Sequence, residues 1–277
     1  MNRKSVTCLS WNIDGLAGKL SDGDFMRYIQ NFDIICLIET FIDATFDLLN
    51  QFGDYLKYIT PAVKLSYMGR RSGGLLVLIR KQLEPFVEKI TLPYDHIVGV
   101  KLSKELIKSN GDVILIDVYV PPKGSPFYRN MDSNCHISVL ENCLLDISVQ
   151  YPGTHIICSG DFNARTANVQ VDPAPNDESV PCSDIHRPTS IFVENRVSRD
   201  MTLNEFGEAF LNLCAYFDLY ILNGFKLGDK AGEFTNIFNT DAVLLTIVQY
   251  QKTSLITSYG SAFVKGLNLN ICHYFLK

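Results

Sequence analysis

The chain has 277 residues, 47% of them apolar and 20% charged, with a net charge of −5. This composition is rich enough to fill a core and excludes a disordered chain, and the acidic balance excludes a general basic coat for nucleic acid, though not a local basic groove. Mean hydropathy is +0.07, yet no apolar run is long enough to span a bilayer, so no membrane association is expected.

Arg3 and Lys4 have no apolar stretch behind them, so no secretory leader is expected. The eight cysteines include no C-x-x-C pair, which argues against a zinc ribbon. Cys36 and Cys158 lie inside apolar runs and read as small buried hydrophobes in a reducing compartment, nuclear or cytoplasmic rather than secreted.

Taken in chain order, VTCLSWN (6–12) alternates like a strand and stops at the Asp14-Gly15 turn signal. Asp24 to Asn31 reads as a short helix. DIICLIE (33–39) is a continuous apolar run, as expected of a strand covered on both faces. GGLLVLIR (73–80), HIVGVKL (96–102) and DVILIDVYV (112–120) read as further strands, the last stopped by Pro121-Pro122. Cys135 to Val149 has helical spacing, and HIICSGD (155–161) is another buried strand. Asn168 to about Ser190 is rich in Pro, Asp and Ser and reads as a long surface loop. In Thr202 to Phe217, Leu203, Phe206, Phe210, Leu213 and Phe217 share a helix face, and LYILNG (219–224) follows as a strand. Several strand pairs lack an intervening helix, which favours two mixed sheets with outer helices over a doubly wound parallel sheet.

Acidic residues stop at Asp241. Residues 242–277 hold three lysines and no Asp or Glu, whereas residues 1–241 carry a net charge of −8. The chain therefore divides into a domain over 5–241 and a divergent tail over 242–277.

Polar side chains recur where the apolar strands end. They are Asn12 and Asp14 after the first, Glu39 after the second, Tyr119 on the fifth, and Asp161 and Asn163 after the sixth. In layered α/β proteins that edge is where sites form. Two-residue spacing puts Asn12 with Asp14, and Asp161 with Asn163, on one side of an extended segment. Singly, each is ordinary: a solvated strand end, an Asx turn, a packed tyrosine. Together they offer hard oxygen donors without soft ligands, which suits Mg²⁺.

The ordered series S-W-N-I-D-G-L (10–16), C-L-I-E-T (36–40), S-G-G-L-L-V-L (72–78), Y-V-P-P (119–122) and S-G-D-F-N-A-R (159–165) resembles the exonuclease–endonuclease–phosphatase superfamily. The resemblance is greatest to the endonuclease domain of LINE-type (non-LTR) retrotransposons and the craniofacial-development-protein-like copies derived from them. It extends through N-E-F-G-E-A-F-L-N-L-C (204–214) and G-D-K-A-G-E-F-T (228–235). It implies a deoxyribonuclease-like α/β fold, a four-layer sandwich of two mixed β-sheets flanked by helices, left incomplete at its C-terminus.

The implied activity is Mg²⁺-dependent phosphodiester hydrolysis of the DNA endonuclease type, with Mn²⁺ as the alternative ion. DNA is the implied partner, through its backbone, and no protein partner is implied. In the roles the resemblance assigns, Glu39 is the principal metal ligand with Asn12 beside it, and Asp14 is a second acidic group near the metal. Tyr119 contacts the scissile phosphate, Asp161 deprotonates the attacking water, and Asn163 hydrogen-bonds the phosphate. A superfamily member acting on inositol or lipid phosphates is the less favoured relative.

The tail departs from the family, which closes its site with an Asp in a V-I-D-Y-type strand and a terminal S-D-H. Neither follows Thr235; His273 is preceded by Cys272, and neither His155 nor His186 is a substitute by position. Codons can be chosen for Ala242 to Ile247 that read S-V-I-D-Y when shifted by one base, which points to a frameshift near Asp241. The expectation is an enzyme weakened by that loss, the alternative a catalytically dead remnant that keeps metal or phosphate binding. Lys64, Arg70, Arg71, Arg80 and Lys81 could form a local basic patch, against the plainer reading of a solvated loop.

Overall fold

A computed structural model describes residues 6–47, 51–65, 67, 69–130, 137–170, 196–224, 244–249, 261–263 and 269–275, the last three segments as backbone strands. The elements are, in chain order, β1 (Val6–Asn12), α1 (Gly23–Ile29), β2 (Ile34–Ile38), β3 (Tyr55–Thr60), β4 (Leu75–Arg80), β5 (Val87–Ile90), β6 (Ile97–Leu102), α2 (Lys104–Ile107), β7 (Val113–Tyr119), α3 (Ser138–Gln150), β8 (His155–Asp161), α4 (Glu205–Tyr216), β9 (Leu219–Ile221), β10 (Leu244–Gln249), β11 (Ser261–Phe263) and β12 (Leu269–Phe275).

They build two six-stranded mixed sheets, ordered β11-β12-β1-β2-β4-β3 and β5-β6-β7-β8-β10-β9. The alternation of side chains along each strand explains the layering. Cys8, Cys36 and Val77 of the first sheet meet Val100, Leu115 and Ile157 of the second in the seam between them. The opposite face of the first sheet packs Leu9, Ile35 and Leu37 against Phe25 and Ile29 of α1. The outer face of the second packs Ile114, Ile116 and Ile156 against Leu144 of α3 and Phe210 of α4. The result is the four-layer sandwich expected from the sequence.

Helix starts follow their capping chemistry. The Asp22 carboxylate accepts from the backbone N–H groups of Asp24 and Phe25 at the start of α1. Asn204 Oδ1 accepts from Gly207 N at 2.7 Å and Arg165 N at 3.0 Å, so α4 begins after Asn204 rather than at Thr202. The same asparagine therefore fixes the helix to the segment leaving β8.

Two strands not anticipated from the sequence, β3 and β5, lie at sheet edges and are only partly covered. Half-solvated edges lack the continuous apolar run that marks their buried neighbours.

The tail contributes backbone to both sheets. β10 runs antiparallel to β8 with Leu244 opposite Asp161, and β12 runs parallel to β1 with Ser10 opposite His273. Residues 244–249 thus sit between β8 and β9 in one sheet, and residues 269–275 flank β1 in the other, at the level of main-chain pairing. Most of the 168–190 loop, His186 and the 228–235 motif lie outside the described residues.

Candidate active site

The two central strands of the first sheet and β7 and β8 of the second end at the same rim. Backbone pairing of β1 with β2 continues past the strands: Ile13 N donates to Ile38 O at 3.0 Å, Gly15 N to Glu39 O at 2.8 Å and Leu16 N to Thr40 O at 3.0 Å. On the other side, Thr40 N donates to Gly74 O and Phe41 N to Gly73 O, both at 3.1 Å. Glu39 is clamped between these ladders with φ of 53°, in the left-handed region that a non-glycine residue occupies at a cost. Gly74 permits the clamp, because a Cβ there would lie 2.6 Å from Thr40 Oγ1.

Five of the six residues singled out in the sequence meet at this rim. Asn12 Nδ2 donates to Asp161 Oδ2 at 2.9 Å, from one sheet to the other. The Tyr119 hydroxyl donates to Glu39 Oε1 at 2.5 Å, also across the seam. Asn163 N donates to Asp161 Oδ1 at 3.1 Å, and Asn163 Nδ2 donates to Val120 O at 2.7 Å, with Asn163 itself at φ of 48°. The sixth, Asp14, turns outward. Its backbone N–H donates to Asn12 Oδ1 at 3.2 Å, but its exposed carboxylate pairs with Arg70 at 3.0 Å. A cavity of about 400 Å³ opens beside it, lined by Gly15, Lys19, Thr40 and Phe41 among others.

Burial shapes the acid–base character of the cluster. Asp161 is 1% exposed. Burial raises its pKa to about 7; the bonds from Asn12 and Asn163 pull it down, and the Glu39 charge pushes it up. Tyr119 is pushed far above the usual phenol range, first by burial and then by the Glu39 charge and hydrogen bond, so it stays protonated. The donors are hard oxygens and amides, and no group of three or more His, Cys, Asp or Glu converges on one point among the described residues. Such a set fits an ion that binds through one or two carboxylates and keeps several waters. The mutual repulsion of Glu39 with Asp161 is also what a cation would relieve.

The basic patch does not form as a set of free cations. Arg70 pairs with Asp14, Arg71 with Asp43 at 2.7 Å, and Arg80 lies 3.7 Å from Asp33.

Two residues behind the rim escape a reading of strand ends. His96 is 2% exposed, neither ring nitrogen has a hydrogen-bond partner, and its ring meets Tyr119 edge-on at 5.5 Å. Burial lowers its pKa and keeps it neutral. Asp117 is 1% exposed and accepts from Ser10 Oγ at 2.8 Å and Ser159 Oγ at 3.1 Å. A charged residue inside the apolar run DVILIDVYV was the available signal for Asp117. His96 carried none, since a histidine before a strand is unremarkable.

Residues 9–191 match the family described as Endonuclease/Exonuclease/phosphatase family. Curated protein sequences give no match. Among solved structures, the chain is similar to an AP endonuclease from Leishmania major, at 13% identity and a TM-score of 0.54, over 87% of this chain and 78% of that one. It is also similar to a 3'-5' exonuclease from Neisseria meningitidis, at 12% identity and a TM-score of 0.50, over 87% and 86% of the two chains. At these identities the likeness concerns the fold.

Proposed function

The chain belongs to the endonuclease/exonuclease/phosphatase family, and on that premise we propose that it is a divalent-metal-dependent phosphodiester hydrolase of the DNA endonuclease type, held to a low rate by its divergent tail. The observation that carries the reading is the pair of hydrogen bonds spanning the seam, Asn12 to Asp161 and Tyr119 to Glu39. They gather a base, a carboxylate and neutral donors at one rim. The similar structures, an AP endonuclease and a 3'-5' exonuclease, agree with a nucleic-acid substrate.

Hydrolysis requires an oriented water, a base beside it, and stabilisation of charge on the phosphate oxygens. Asp161, with a pKa of about 7, is deprotonated enough at neutral pH to take a proton from water. Its two oxygens are held by Asn12 and Asn163, which fixes the direction of the remaining lone pairs. Asn163 spends one amide hydrogen on Val120 O, and the other would donate to a phosphate oxygen. Tyr119 remains a neutral donor. Glu39 and Asn12 would hold Mg²⁺ or Mn²⁺, without the outward-turned Asp14, and the ion would supply positive charge to the phosphate.

The reading closest to the sequence is a retrotransposon-type endonuclease whose tail, 242–277, replaces the family's closing Asp and S-D-H, in a nuclear or cytoplasmic protein. One preorganised oxyanion donor is worth about 10²–10³ in kcat, so losing the closing histidine alone accounts for a slow enzyme. The alternative, a non-catalytic remnant that retains metal and phosphate binding, is favoured by the absence of any Asp or Glu in 242–277.

Nicking of supercoiled plasmid in Mg²⁺, compared with Glu39→Ala and Asp161→Ala, tests the proposal. Slow metal-dependent nicking lost in both variants supports the enzyme. Mn²⁺ binding without nicking supports the remnant. Nicking that survives both substitutions refutes the site.

A further inference from the structure

Below the rim, the seam between the sheets is apolar except for one layer among the described residues. Along β1, β7 and β8, residues two apart share the seam-facing side. The deepest of three successive layers is Cys8, Leu115 and Ile157. The outermost, at the rim, is Asn12, Tyr119 and Asp161. Between them lie Ser10, Asp117 and Ser159, all buried to 2% exposure or less.

In this middle layer a single oxygen, Asp117 Oδ1, accepts from Ser10 Oγ of the first sheet at 2.8 Å and from Ser159 Oγ of the second at 3.1 Å. Asp117 and Ser159 are register partners in the parallel β7–β8 pair, as are Tyr119 and Asp161 one step further out. The layer thus repeats, one step below the rim, the cross-seam connection that Asn12 makes to Asp161.

Asp117 is a poor choice for stability alone. Its second oxygen, Oδ2, is buried without a hydrogen-bond partner, and a buried carboxylate left half-satisfied is costly. An apolar side chain would fill the seam at lower cost. What apolar contacts do not supply is direction, since they allow two sheet faces to slide. A shared acceptor fixes both serine hydroxyls, and with them the relative stagger of β1 and β8.

We propose that Asp117 is a positioning residue, whose Oδ1 ties Ser10 to Ser159 and so sets the stagger of the two sheets that brings Asn12 onto Asp161. Its effect on turnover rests on the endonuclease reading above; its effect on geometry does not.

The test uses the full chain and two readouts. The first is the ¹⁵N-resolved side-chain amide resonance of Asn12, identified by its absence in Asn12→Ser. In the parent chain this resonance reports the bond to Asp161, and Asp161→Ala, which removes the acceptor, gives its unlinked position. Asp117→Leu moves the resonance to that unlinked position, and Asp117→Asn, which keeps an acceptor oxygen for both serines, returns it. Ser10→Ala with Ser159→Ala produces the same displacement and serves if Asp117→Leu does not fold. A folded Asp117→Leu or double-serine variant with an undisplaced Asn12 resonance overturns the proposal.

The second readout is single-turnover nicking. Asp117→Leu lowers the rate at saturating DNA at least tenfold with KM within twofold, and Asp117→Asn restores most of it. A tenfold loss in Asp117→Asn equal to that in Asp117→Leu also overturns the proposal, because charge rather than the acceptor would then matter. If the parent chain does not nick at all, the endonuclease reading fails, and the Asn12 resonance still decides the role of Asp117.

Discussion

Asn12 and Asp161, 149 residues apart, are joined by a 2.9 Å hydrogen bond that crosses from the end of β1 to the end of β8. The bond stabilises the charged form of Asp161, against burial that favours the neutral form. Removing it in Asn12→Ala raises the Asp161 pKa above its present value of about 7. A base must be deprotonated to act, so the acid limb of the nicking rate moves to higher pH. We expect a shift on the order of one unit, read from the pH–rate profile. An unchanged limb would mean that Asp161 is not the group titrating in it.

Tyr119 makes the companion connection, donating to Glu39 at 2.5 Å. Tyr119→Phe keeps the ring and removes the donor, so Glu39 loses a charge-assisted bond worth about 1.5–3 kcal/mol. The expected outcome is a fall in kcat of roughly 10–10²-fold. Mn²⁺ affinity is not weakened, because the Glu39 oxygen released from the phenol stays available. Loss of Mn²⁺ binding in the variant would show that Tyr119 is needed to shape the ion site.

The rim shows which parts of such a site a sequence reveals. Asn12, Glu39, Tyr119, Asp161 and Asn163 were visible because each interrupts or ends a buried apolar run, and strand ends of one layered fold lie on one edge. The edge strands β3 and β5 were not visible, because a half-wet strand has neither a continuous apolar run nor a clean alternation. The outward turn of Asp14 depends on Arg70, 56 residues away, and no local spacing encodes that pair. The capping role of Asn204, which ties α4 to the segment after β8, is likewise a tertiary fact.

Asp117 and Asp161 give the fold a particular pH dependence. Burial is the largest cause of both raised pKa values, each about 7. Between roughly pH 4 and 7 the folded chain retains protons that the unfolded chain has released. Stability therefore falls as pH rises through that window and levels off above it. Asp117→Asn removes one of the two groups, so it gains about 1–4 kcal/mol over the parent chain at pH 8 and little at pH 4. Urea denaturation at the two pH values measures this. Equal differences at both would mean that Asp117 ionises normally in the fold.

The cysteines give a check on the cores. Cys8, Cys36, Cys143, Cys158 and Cys214 are buried thiols. Burial raises the thiols of Cys36, Cys143, Cys158 and Cys214, and the thiolate is the reactive form. A short iodoacetamide pulse at pH 8, mapped by peptide mass spectrometry, should leave these five unmodified in the native chain. All five should be labelled in denaturant. Native labelling at Cys158 would mean that the β8 layer behind Asp161 opens to solvent.

Gly160 is the final test of how the base is placed. It precedes Asp161 with φ of +139°, and a Cβ built on it would lie 2.0 Å from Val118 O of the neighbouring strand. No side-chain rotation relieves a clash with backbone. In Gly160→Ala, β8 must move away from β7 at the point where Val120 N donates to Asp161 O at 2.8 Å. Strain of this kind costs about 1–3 kcal/mol, and it falls one residue from the carboxylate. Thermal unfolding should show a Tm several degrees lower, and nicking should fall further than stability alone explains, since Asp161 is carried with its strand. A variant with parental Tm and rate would show that β7 and β8 are less closely apposed at this point than the structure has them.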